Sequence, residues 1–188
     1  QELKVGAALR VITPDPLIPV SGGVGTPSPA TEKKGDLYVR AMVMEQNGVK
    51  VAIVGIDNLG WPAVLGDQSR ALIKGIPPEN ILIGATHTHS APDAYGFPNE
   101  MGEVLADFDY LEWCVKQVAD AVNEAMENME PAALKIAVGE AKGKIAYNYY
   151  APDLYDPRCG VIQAFGTTGK NKNKAIATLV NPPGSHWQ

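Results

Sequence analysis

Two apolar, β-branched segments, Asp36–Gln46 and Val49–Ile56, are separated only by Asn47-Gly48. Both residues of that pair tolerate positive φ, which a two-residue type I′ turn requires, so the pattern predicts a tight hairpin. Residues 3–11 alternate weakly and predict an earlier strand that ends at Thr13-Pro14-Asp15-Pro16. Short apolar runs at Asn80–Ala85, Ala132–Glu140, Gly160–Phe165 and Ala175–Val180 supply four more strands. Helical spacing appears twice. Pro62–Lys74 carries it with Pro62 near the first turn and Gly75 suited to the C-terminal cap. From Asp109 onward, Leu111, Cys114, Val115, Val118, Val122, Ala125 and Met129 form one apolar stripe, with Asp109 and Glu112 as the expected capping box.

The stretch from Thr13 to about Lys34 is rich in Pro, Gly, Ser and Thr, has neither period, and reads as a long loop. Strands alternating with two helices, together with hairpins, imply an α/β fold: a mixed sheet with helices packed against it. Residues 1–188 read as a single domain without internal repeat or linker, and the hairpins argue against a strictly parallel, doubly wound sheet.

Composition narrows the classes of function. The chain is 45% hydrophobic and 20% charged, ordinary values for a globular protein. A net charge of -5 with no extended basic block argues against nucleic acids and against electrostatic attraction to anionic membranes. The one basic cluster, Lys170-Asn171-Lys172-Asn173-Lys174, lies between two strand-like runs and reads as a solvated hairpin tip. No apolar run approaches the roughly 18 residues a membrane helix needs. A start at Gln1 rather than Met implies a processed N-terminus, and removal of a signal peptide would make the protein secreted or periplasmic. Cys114 reads as a buried small hydrophobe and Cys159 as a turn residue, with a disulfide between them left open.

The chemistry concentrates in Thr86-His87-Thr88-His89-Ser90, which follows the apolar run ending at Ala85. Ligands gather beyond the carboxyl ends of strands in such sheets. If extended backbone persists through Thr88, His87 and His89 project to one side, where two imidazoles hold Zn²⁺ at about 2.0–2.1 Å. A zinc hydrolase also needs a further ligand and a base, for which Asp57, Asp93 and His186 are the candidates. Asp57 also reads as a turn residue after its strand, and Asp93 as a turn cap. Ser90 lacks the Gly-x-Ser-x-Gly frame of a nucleophile elbow. Tyr95 and Phe97, just beyond the histidines, are candidate substrate contacts, and Tyr147, Tyr149, Tyr150 and Tyr155 cluster around Asn148 as a possible apolar wall. Trp61 and Trp113 read as packing residues.

These residues resemble the N-terminal catalytic region of the neutral, non-lysosomal ceramidase family. The resemblance runs in order through Val5-Gly6-Ala7-Ala8, Ile12-Thr13-Pro14, Gly22-Gly23, Asp36–Ala41, Val51–Asp57, Pro77-Pro78-Glu79-Asn80 and the Thr-His-Thr-His-Ser segment. It continues to Asn148, Asp156-Pro157 and Ile176–Asn181. It implies a zinc-dependent amidohydrolase that cleaves the N-acyl bond of ceramide or a related lipid amide with a metal-bound water. His87 would be a zinc ligand, and His89 a site residue that contacts substrate or completes the metal set. From the residues themselves, Asp57 is the candidate catalytic carboxylate, and Asn148 and Tyr149 join Tyr95 and Phe97 as candidate substrate contacts.

Three positions depart from the family pattern. His186 stands one residue late for the second ligand histidine, Lys34 or Gly35 stands where a histidine is usual before the Asp-x-x-Tyr strand, and Tyr149 replaces an arginine that orients substrate. Relative to the family the chain is truncated. A non-catalytic fragment or binding domain that keeps half of the fold is therefore a rival reading. So is a metal hydrolase of the same superfold acting on another amide or ester.

Overall fold

The computed structural model describes residues 2–22, 27–141, 148 and 150–182. Contacts group the chain into two compact units, one essentially Val5–Met129 and one Glu130–Gln188 joined by Glu2–Lys4.

In the first unit the strands are β1 (Lys4–Val11), β2 (Tyr38–Gln46), β3 (Val49–Ile56) and β4 (Ile81–Ala85), in spatial order β4-β3-β2-β1. The hairpin forms where the pattern places it. Asn47 and Gly48 have φ of 53° and 80°, and β2 pairs antiparallel with β3 from Gln46↔Val49 to Val39↔Ile56. β4 instead lies parallel to β3, from Ala52↔Ile81 to Ile56↔Ala85, so the sheet is mixed. A parallel neighbour requires a crossover, which α1 (Ala63–Leu72) provides. Its buried positions are the small residues Gly66 and Ser69, and the Ser69 hydroxyl donates back to the Leu65 carbonyl at 2.9 Å.

The second helix, α2 (Phe108–Glu127), packs its stripe on the sheet, with Leu111, Cys114, Val115, Val118, Val122 and Ala125 all buried. All of these but Val115 meet Val39, Ala41, Val43, Val54 and Ile56 in one core. Each valine or isoleucine fully buried there contributes about 1.5–3 kcal/mol. The α/β class and its mixed sheet are those expected.

Two helix ends differ from expectation. The α2 N-cap is Asp107, whose Oδ1 accepts the Tyr110 N–H at 2.9 Å; Asp109 sits inside the first turn and does not cap it. The Asp109–Glu112 spacing points two residues too far along the chain. Burial of Tyr110, whose hydroxyl donates to the Ile12 carbonyl at 2.8 Å, fixes the start. Helix α1 ends at Leu72 with Ile73 extended, so Gly75, at φ 81°, serves the turn beyond rather than the cap.

The second unit is antiparallel: β5 (Glu130–Glu140), β6 (Arg158–Gly166) and β7 (Ala175–Asn181) lie in that order. The lysine-rich segment is the β6–β7 connection, as expected, built on a short 3-10 turn at Gly169–Asn171. Both cysteines are free, Cys114 buried and Cys159 half-buried. Among the described residues no helix is long and apolar enough to cross a membrane.

Candidate metal centre at the ends of two parallel strands

Because Ile56 and Ala85 are register partners, Asp57 and Thr86 leave the sheet side by side at the carboxyl edge of the parallel pair. The Thr86 N–H donates to the Ile56 carbonyl at 2.9 Å, and its hydroxyl donates to Asp57 Oδ1 at 3.1 Å. Asp57 Oδ2 meanwhile accepts the Tyr38 N–H and Arg40 Nη1, each at 2.9 Å. One carboxylate therefore ties the start of β2 and the end of β4 to the end of β3. Both oxygens of Asp57 are thus engaged as structural acceptors.

Extended backbone does not persist into the histidines, contrary to expectation. The strand stops at Ala85, and His87 sits at φ 60°, the left-handed region a β-carbon normally disfavours. The two rings are nevertheless brought together, with centroids 5.1 Å apart and planes at 85°. Long-range contacts hold them. His87 Nδ1 lies 2.7 Å from the Leu59 carbonyl, and His89 Nδ1 contacts the Gly22 carbonyl.

A carbonyl oxygen can only accept, so each Nδ1 carries the proton, and in the neutral form of a ring held this way Nε2 is the bare nitrogen. Both residues are exposed. A ligating histidine whose other ring nitrogen donates to a carbonyl is the usual arrangement at metal sites, because it fixes the tautomer and ring orientation. The donor chemistry therefore fits Zn²⁺.

Two glycines allow these approaches. A β-carbon on Gly22 would run into the His89 carbonyl and lie 3.2 Å from His89 Cβ; one on Gly60 would run into the Tyr95 hydroxyl. The loop bearing Leu59 is reinforced by Asn58, fully buried, whose Oδ1 accepts the Leu59 N–H at 2.7 Å. Leu59, Gly22, Thr86 and Arg40 were not singled out from sequence as site residues. The available signal was glycine: one four residues past the end of β3, one in a Gly-Gly pair, each marking a place where backbone approaches closely.

Asp93 is 3% exposed and accepts the Tyr95 and Phe97 N–H groups at 2.7 and 2.8 Å, so it caps a turn. Tyr95 is half exposed beside half-buried Phe97, with ring centroids 5.3 Å apart. Trp61 packs against the core, whereas Trp113 stays 37% exposed beside the Tyr110 ring. In the second unit, Asn148 Oδ1 accepts the Tyr150 and Ala151 N–H groups at 2.9 and 3.2 Å, which shapes its own loop. Tyr147, Tyr149 and His186 lie outside the described residues. Among the described residues no three of His, Cys, Asp and Glu gather as a metal-binding group.

Solved structures share this architecture. The neutral ceramidase from Pseudomonas aeruginosa superposes with a TM-score of 0.70 at 17% identity, over 95% of this chain and 31% of its own. The fold is ceramidase-like. A ceramidase complexed with C2 gives 0.69 at 19% identity, over 95% of this chain and 30% of its own. This chain thus spans less than a third of the ceramidases it matches. No protein-family model matches the chain, and no curated protein matches it.

Proposed function

We propose that the chain carries part of the catalytic centre of a zinc-dependent hydrolase that cleaves an N-acyl amide, ceramide or a related lipid amide, outside the cytoplasm. The observation that carries this reading is the pair of exposed imidazoles whose Nδ1 atoms are both committed to backbone carbonyls, leaving two bare Nε2 atoms beyond the carboxyl ends of parallel strands. The ceramidase-like fold supports it.

In this reading His87 would hold the metal. Zinc supplies the Lewis acidity that activates water and polarises the amide carbonyl. His89 Nε2 accepts the proton that water loses as its oxygen bonds to the acyl carbon, and returns it to nitrogen as the C–N bond breaks, giving a carboxylic acid and an amine. Tyr95 and Phe97 offer an apolar edge to the acyl chain. Asp57 and Thr86 keep the histidine segment in place.

The test is fatty-acid release from N-acyl amides by the zinc-loaded chain, with ceramide in detergent micelles and short N-acyl anilides as the two substrates. His89→Ala is expected to lose about 10²–10⁴-fold in rate, the usual worth of a positioned acid–base group. Release that survives in both His87→Ala and His89→Ala, or no release from either substrate with zinc bound, contradicts the proposal.

A further inference from the structure

Tyr95 follows the histidines in sequence, yet its ring is seated on the loop that holds one of them. Its hydroxyl occupies the space beside the Gly60 α-carbon where a side chain would begin; a β-carbon there would meet the phenol oxygen, Cζ and Cε2, the last at 2.7 Å. Gly60 Cα belongs to the same planar peptide unit as the Leu59 carbonyl, since the six atoms from one Cα to the next move as one plate. That carbonyl accepts the His87 Nδ1–H at 2.7 Å. A group pressed against one end of the plate therefore restrains the direction of the oxygen it carries.

Tyr95 is itself held from behind. The buried carboxylate of Asp93 accepts the N–H groups of Tyr95 and Phe97, and the two rings pack at 5.3 Å. On the other side, Asn58 Oδ1 fixes the preceding peptide through the Leu59 N–H at 2.7 Å.

We propose that Tyr95 is a positioning residue for His87: by seating on Gly60 it pins the Leu59–Gly60 peptide plane, and so holds the His87 ring in the Nδ1–H form with Nε2 bare. The functional significance rests on the reading of His87 as a metal ligand. The geometric claim concerns the metal-free ring alone.

The experiment uses the full chain labelled with ¹⁵N. Long-range ¹H–¹⁵N spectra of the imidazoles are recorded without metal at a pH where histidine is neutral, with His87 assigned by its loss in His87→Gln. Zinc affinity is measured in parallel by chelator competition. The wild type is expected to show a single Nδ1–H pattern for His87. Tyr95→Ala mixes in the Nε2–H form and weakens zinc binding about 10–100-fold, the usual effect of losing support behind a ligand. Tyr95→Phe, which keeps the ring and loses only the atom nearest Gly60, falls between the two, and it decides the matter if the alanine variant does not fold. An unchanged Nδ1–H pattern in the folded variants overturns the proposal, even if His87 binds zinc. A tautomer shift in a chain that binds no zinc upholds the positioning role and removes the metal reading.

Discussion

Replacing Asp57 separates the role of an anchor from that of a base. Its carboxylate accepts the Tyr38 N–H and Arg40 Nη1 on one oxygen and the Thr86 hydroxyl on the other. The ion pair with Arg40 is half exposed on the arginine side and is worth no more than about 1 kcal/mol. The part-buried Tyr38 N–H, left unpaired, costs about 1–2 kcal/mol, and the exposed Thr86 contact adds about 0.5 kcal/mol. Asp57→Ala should therefore destabilise the metal-free chain by about 3 kcal/mol, or about 6–12 °C in Tm at this size. Asp57→Asn, which keeps one acceptor oxygen, should lose about half as much.

Scanning calorimetry on metal-free protein measures this directly, and zinc affinity should fall with it because Thr86 directly precedes His87. A Tm within about 2 °C of wild type for Asp57→Ala would refute the anchor. If, in addition, activity vanished while zinc binding was unchanged, Asp57 would be acting as the base.

Three further outcomes follow from the same geometry. Asp107→Ala removes the α2 cap and should cost about 0.5–2 kcal/mol in urea unfolding, whereas Asp109→Ala, which removes no cap bond, should cost clearly less. Burial pushes the Cys114 thiol up from 9.0 to about 12. Native protein should therefore leave Cys114 unlabelled by a thiol reagent while half-buried Cys159 reacts. A group whose folded pKa is raised contributes its stability in full below its unfolded value and loses it as pH rises, so stability should decline between about pH 9 and 12, and less so in Cys114→Ala. Hydrogen bonds from Arg158 hold the Asp156 carboxyl at about 2, so its NMR titration midpoint should lie there in the wild type and return towards 3.8 in Arg158→Ala.

What sequence made legible was local. Asn47-Gly48 can turn a hairpin through its own backbone preferences, and the apolar stripe from Leu111 to Ala125 needs only helical spacing to be seen. The histidine pair was visible as a motif, but its geometry was not. His87 leaves the extended region because its ring is drawn to a carbonyl 28 residues earlier in the chain, and His89 is held by one 67 residues earlier. No local periodicity encodes such partners. Gly22 and Gly60 carry a trace of them, since each is where a β-carbon would block the approach, but a glycine in a loop does not say what approaches it. The cap of α2 shows the same limit: the Asp109–Glu112 spacing points to Asp109, whereas the tertiary contact of Tyr110 goes with a cap at Asp107.

The measurement that reaches the central claim most directly is elemental analysis for zinc on the purified chain and on His87→Ala, side by side, with circular dichroism to confirm that both are folded. The account predicts about one zinc per wild-type chain and none in the folded variant. Zinc retained by the variant, or absent from both, would contradict it.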